Sequence, residues 1–190
     1  MRREIRALLF AYIAIVLVKA VLAFFIPSPT IFSDEYIYSK LAQGIWDNGL
    51  AWDWNIFQLP GDVEVTNLPF LYSVFLAVSY VFSDMSVIYL MMKWIGVVLS
   101  SLVIFPVYFL ARDFVNKNYA LFGALLVSLL SMNFNISSYV VAENLFFPLF
   151  LFSVYFIYKA FDKQKAVYFF LSGAFIALGF MTKTLGIVLV

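Results

Sequence analysis

The sequence predicts an all-α fold, a polytopic transmembrane helix bundle with amphipathic juxtamembrane helices on its external side. Three observations lead there. The 190 residues are 65% hydrophobic and only 12% charged, where soluble domains are about half apolar and a quarter charged. The apolar residues form long continuous runs without period-two alternation, which selects helices over a closed barrel, the other way to satisfy a backbone in lipid. The Lys and Arg residues cluster in some connectors and the Asp and Glu residues in others, as membrane sidedness requires.

The first element is the run at residues 7–26. It is about 20 residues long, enough for one span. The basic MRREIR precedes it and no small-residue cleavage site follows. It is therefore a retained helix, not a signal peptide, with the N-terminus cytoplasmic.

Residues 27–67 carry Asp34, Glu35, Asp47, Asp53, Asp62 and Glu64 against the single base Lys40, so they lie outside. Tyr36, Trp46, Trp52 and Trp54 suit an interfacial segment. Within it, SDEYIYSKLAQGIWDNG reads as a helix. Ser33 is the N-cap, Asp34 and Glu35 fill the first turn, and Gly44 or Gly49 ends it. Ile37, Leu41, Ile45 and Trp46 form an apolar face expected to lie on the membrane.

The run at 68–82 should not span. If it and the run at 85–110 both crossed, Arg112 and Lys117 would fall outside, against the positive-inside trend. As a helix it would be only about 22 Å long, short of the hydrocarbon core. It is read as a second juxtamembrane helix with Pro69 in its first turn.

Five spans remain: 7–26, 88–110, 119–135, 144–160 and 166–182. The whole of residues 1–190 is a single transmembrane domain with an external loop at 27–87. Its end, MTKTLGIVLV, falls within an apolar stretch, so the chain is expected to be the N-terminal part of a longer protein.

The chain has no cysteine and no histidine. Thiol chemistry, disulfides, imidazole metal sites and Ser-His-Asp catalysis are thereby excluded. A net charge of +1 gives no reason to expect nucleic acid. Proton transfer falls to carboxylates, lysine, tyrosine or the substrate.

Asp34 and Glu35 have a bland reading, in which each favours the helix N-terminus by about 0.3–1 kcal/mol. They also have a functional one, a base at the membrane surface. Adjacent helical residues point about 100° apart, so one acid can face a cavity while the other binds its surroundings. Glu143, in VVAENLFFPLF, is either a helix-start acid or a functional one, and it shares the external face with Asp34.

Lys19, Lys93 and Lys183 fall in the outer halves of their helices. They either snorkel or, with Lys40, surround an anionic phosphate. Lys183 in MTKTLG ranks first, because Thr182 and Thr184 can donate beside it. Asn135 opens the sequon NIS, a weak signal.

The order of these pieces resembles a family. A basic N-terminus and one span lead to DE opening an external helix. NLPFLYSVFLAVSYVF then gives a second external helix. VYFLARDF ends a span on the cytoplasmic side, and VAENLFFPL and LGFMTKTLG follow. This is similar to the N-terminal module of GT-C glycosyltransferases, in the branch of protein O-mannosyltransferases and the lipid A aminoarabinose transferase.

The resemblance implies transfer of a sugar from a polyprenyl-phosphate donor to an acceptor hydroxyl at the external face. It implies Asp34 as general base beside Glu35, Glu143 as second acid, and Lys183, Lys40 and Lys93 as donor-phosphate contacts. It implies an integral protein of the plasma membrane, or of the ER membrane in a eukaryote, among membrane lipids. It implies no particular cofactor and leaves a divalent metal open. Relatives often carry Lys/His-Pro-Pro before the second external helix. Here the stretch is TNLPF, with Asn67 and Pro69, so no phosphate or metal contact is assigned to it. The family's later spans and C-terminal domain lie beyond these residues, so activity is expected of the longer chain. The alternatives are a transporter or flippase of a lipid-linked or anionic substrate, and a non-catalytic membrane scaffold.

Overall fold

A computed structural model of the chain describes residues 2–27, 33–49, 58–59, 63–64 and 69–183. Helix α1 (Arg2–Phe25) is followed by α2 (Ser33–Asn48). Two short strands, β1 (Gln58–Leu59) and β2 (Val63–Glu64), pair antiparallel with Gln58 opposite Glu64. Then come α3 (Leu71–Ala77) with a 3-10 turn over Val78–Val81, α4 (Met85–Ser101) and α5 (Ile104–Ala111). Last are α6 (Lys117–Leu129), α7 (Ser131–Ile136), α8 (Glu143–Lys163) and α9 (Ala166–Thr182). The described residues are overwhelmingly helical, as predicted.

Three stretches are long and apolar enough to cross a membrane: Glu4–Phe25, Met85–Ala111 and Glu143–Lys163. Their outer faces are apolar and open. On α1, Phe10, Leu17, Val21 and Phe24 are exposed while Leu8, Ala11, Ile15 and Ala23 are buried, the arrangement of a helix with lipid on one side and protein on the other.

The other two expected spans are shorter than the sequence suggests. Helix α9 has 17 residues, about 26 Å of rise. The expected span at 119–135 is broken at Leu130, whose ψ of 138 is not helical, so it divides into α6 and α7. The run Leu71–Val81 is among the shorter apolar helices, in keeping with the reading that it does not cross.

The span Met85–Ala111 is continuous but bent where α4 meets α5. The cause is Pro106, which lacks an N–H and sets its ring against the carbonyl four residues earlier. The backbone around the bend tightens to i−3 bonds. Leu102 donates to Leu99 O at 3.1 Å and Phe105 to Leu102 O at 3.1 Å.

Local expectations for the two short helices need correction. Helix α2 runs through Gly44 and ends at Gly49, whose φ of +69 supplies the left-handed turn after the last helical residue. Its buried face is Tyr38, Leu41, Ala42 and Ile45, packed on Tyr72 and Leu76 of α3 and on α4 and α8. Trp46 is exposed. The helix therefore covers protein with the face that the sequence assigned to the membrane. In α3 the N-cap is Phe70, so Pro69 lies just before the helix, not in its first turn. The side chain of Ser33, together with Trp52, Trp54, Asp53 and Asp62, lies outside the described residues.

The connectors sort to the two ends of the bundle. At one end Arg112 pairs with Glu4 at 2.9 Å and Lys159 with Asp113 at 2.5 Å. At the other, Lys93 Nζ donates to Ile26 O at 2.7 Å, and Lys183 pairs with Glu143. Two core clusters correspond to these ends. Leu8, Ala11, Ile15, Ile104, Tyr108, Ala120 and Ala124 join α1, α5 and α6. The larger cluster joins α2, α3, α4 and α8.

Candidate functional site

Helix α2 places its acids by the 100° step between neighbours. Asp34 is exposed and Glu35 is fully buried. The Glu35 carboxylate accepts the N–H of Val140 at 2.9 Å. Val140 lies in the short segment before α8, so α2 is tied to the chain that carries Glu143.

Glu143 opens α8, whose N-cap Ala142 offers no side-chain bond. The acid favours the helix start by charge. Its carboxylate also holds the Lys183 ammonium at the end of α9, with both side chains about one-quarter exposed, 23% and 24%.

The acids converge on two tyrosines. Tyr38 and Tyr72 meet edge to face with centroids 5.5 Å apart. Burial, and then the negative charges of Asp34 and Glu143, push the Tyr38 phenol well above its ordinary range. Tyr72 is raised chiefly by its complete burial, against an opposing hydrogen bond from Asn144, and then by Tyr38, Glu35 and Glu143. Both phenols are thereby held in their neutral form.

Beneath them the packing leaves little freedom. Asn144 Nδ2 donates to Tyr139 O at 2.8 Å and lies 3.5 Å from Tyr72 Oη. A β-carbon added at Gly96 would stand 2.7 Å from Asn144 Nδ2 and 3.1 Å from Tyr72 Oη. Glycine is what lets α4 approach α3 and α8 here.

The far side of α2 borders a groove of about 890 Å³. Tyr36, Lys40 and Gln43, spaced as one helical face, line it together with Lys93, Tyr80 and Tyr89. Phe24, Ile26, Met85 and Leu90 give it apolar walls. Lys40 is exposed, donates to Gln43 Oε1 at 3.2 Å and lies 5.9 Å from the Tyr36 ring. Tyr80 Oη donates to Ser39 O at 2.9 Å and closes the groove on the α2 side.

The predicted residues thus divide. Asp34 and Glu143 both lie within electrostatic range of Tyr38, and Lys183 pairs with Glu143. Lys40 and Lys93 share the groove. Lys19 is buried with its ammonium 3.5 Å from Ser100 Oγ, so it turns between helices and does not snorkel. Lys93 turns inward likewise.

Thr182 is buried and donates to Leu178 O at 2.8 Å, so it does not flank a ligand, and Thr184 lies outside the described residues. In the sequon, Asn135 is exposed but Ser137 is buried and donates to Phe134 O at 2.7 Å. Among the described residues no group of three acids, His or Cys could hold a metal. Sequence reasoning missed Tyr38, Tyr72, Gly96 and Val140, since nothing in a Tyr-rich chain marks two phenols or one backbone amide. It noticed Asn144 only as part of the helix start.

A helix bundle with membrane-length spans, with Asp34, Glu35 and Glu143 at one end beside a groove lined by lysines and apolar side chains, defines an integral membrane protein. The dolichyl-phosphate-mannose-protein mannosyltransferase family matches residues 68–190, and the chain belongs to that family. It is accordingly a membrane glycosyltransferase, and the transporter and scaffold alternatives fall away. The match takes in Glu143, Lys93 and Lys183 but begins after Asp34, Glu35 and Lys40. No curated protein and no solved structure matches the chain.

Proposed function

We propose that the chain transfers a sugar from a polyprenyl-phosphate donor to an acceptor hydroxyl at the external face of the membrane. The observation that carries this reading is the hydrogen bond from Val140 N–H to Glu35 at 2.9 Å, which brings the start of α2, with Asp34, to the segment that leads into Glu143, although the two are far apart in sequence. Asp34 is the exposed acid and serves as general base, taking the acceptor proton as the acceptor oxygen bonds to C1. The C1–O bond to phosphate breaks with its electron pair on the phosphate oxygen, and the centre passes through an oxocarbenium-like state. Glu143 is the second acid, at the acceptor or donor side.

The groove supports a place for the donor. Its apolar walls suit a lipid chain, and Lys40 and Lys93 offer positive charge to the leaving phosphate. Lys183 fixes Glu143 through their ion pair. Sidedness rests on the basic connectors grouped at the opposite end of the bundle.

The test uses the full-length protein with radiolabelled polyprenyl-phosphate sugars and candidate acceptors. Asp34→Asn should lower transfer by about 10²–10⁴-fold, the usual contribution of a general base, while donor binding persists. An unchanged rate would sink the reading. So would impermeant thiol labelling that puts single cysteines near positions 34 and 143 on opposite faces; the absence of native cysteine in these 190 residues makes that labelling clean.

A further inference from the structure

Glu35 is a buried carboxylate that the reaction above does not use. It is 0% exposed, and so is Val140, whose N–H it accepts at 2.9 Å. Tyr72 and Tyr89 lie within electrostatic range, and so does the Lys93 ammonium. An acid so enclosed cannot meet an acceptor hydroxyl arriving from solvent or lipid.

Its place in the chain is the informative part. Asp34 is the preceding residue, and Glu143 is three residues beyond Val140, at the start of α8. The segment is also closed on itself, because Asn144 Nδ2 donates to Tyr139 O at 2.8 Å. The bond from Val140 N–H to Glu35 therefore links the residue after Asp34 to the segment that leads into Glu143.

We propose that Glu35 is a positioning residue: by accepting the Val140 amide it sets the spacing of Asp34 and Glu143. This rests on the reading of Asp34 as base. A role through the hydrogen bond and a role through the proton make opposite demands. Gln keeps an accepting oxygen at the same reach and loses the charge. Asp keeps the charge and falls one methylene short.

The experiment compares Glu35→Gln and Glu35→Asp in the full-length protein, by transfer kinetics and by amide exchange over residues 139–142 in micelles. Glu35→Gln should keep kcat within about threefold of the starting protein, with slow exchange at Val140. Glu35→Asp should lose about tenfold or more in kcat with little change in donor KM, because small misplacements of reacting groups are costly, and its Val140 amide should exchange faster. The proposal is overturned if Glu35→Gln loses activity as Glu35→Asp does or fails to fold, or if Glu35→Asp behaves like the starting protein. Asp34→Asn, run alongside, separates the two ideas. If it transfers normally, the base assignment fails, and the exchange arm still decides whether Glu35 holds Val140.

Discussion

The two ends of this bundle are held together by different means. Where α1, α5 and α6 meet, the buried contacts are chiefly aliphatic: Leu8, Ala11 and Ile15 against Ile104, Ala120 and Ala124, with Tyr108 beside them. Where α2, α3, α4 and α8 meet, buried polar groups cross between elements. Glu35 reaches Val140, Ser73 Oγ donates to Tyr38 O at 3.3 Å, and Asn144 reaches Tyr139 and lies beside Tyr72. Apolar packing accepts many arrangements of similar volume. A buried hydrogen bond accepts one, because its loss strands a polar group away from water. The end with fixed geometry is the end that carries Asp34, Glu35 and Glu143.

The sharpest way to break that contrast, after the base substitution above, is a methyl group at matched glycines. Gly96→Ala should destabilise by about 1–3 kcal/mol, the cost of overpacking, because Asn144 is held by its own bonds and cannot swing aside. Transfer should fall with it, as Glu143 neighbours Asn144. Gly123→Ala, in α6 at the aliphatic end, meets nothing within 4 Å. It should be neutral or stabilising by at most about 1 kcal/mol, the helix-propensity gain. Thermal melts in one detergent read both. Equal losses would mean the two ends are packed alike.

A smaller effect concerns α4, which carries Lys93. Its N-cap Asp84 accepts from Ser86 Oγ and Ser86 N and from Val87 N, which holds its carboxyl below the ordinary 3.8. A depressed folded value means the cap stabilises at neutral pH and loses that contribution as pH falls through the folded value. Asp84→Asn keeps a capping oxygen and should remove this acid dependence of the melting temperature. A curve for the variant that still tracks the parent would assign the dependence elsewhere.

The smallest effect belongs to the opposite end. Gln164 turns α8 into α9 with φ of +51. Gln164→Gly should raise stability by about 0.5–1 kcal/mol, since glycine takes that conformation without strain, and should leave transfer unchanged.

The sequence made some of this legible and hid the rest for physical reasons. The position of the longest apolar runs follows from hydropathy, so α1, the stretch from Met85 and α8 lie close to where the runs place them; the expected spans at 119–135 and 166–182 are shorter, because hydropathy alone did not mark the break at Leu130. The expectation that Leu71–Val81 does not cross came from a count of positive charges, and its short length accords with that expectation. Composition could not tell membrane surface from protein surface, so the apolar face of α2 was assigned to lipid although Tyr72 and Leu76 cover it. The acids were visible as acids. Their division into an exposed Asp34 and a buried Glu35 needed the partner Val140, a backbone amide that no side-chain pattern announces. The pairing of Lys183 with Glu143 was likewise invisible, because the two lie 40 residues apart in sequence.

The groove beside α2 has walls from the end of α1 and the start of α4, and Phe24 and Met85 also face outward. If this groove holds the lipid-linked donor, as proposed above, the donor would enter sideways from the bilayer, searching in two dimensions without passing through water. Its chain would exchange one apolar medium for another and gain little by doing so. Discrimination among lipids would then fall to Lys40, Lys93 and the hydroxyls between them, so that the head of the ligand would set the affinity while the membrane supplied the concentration of the tail.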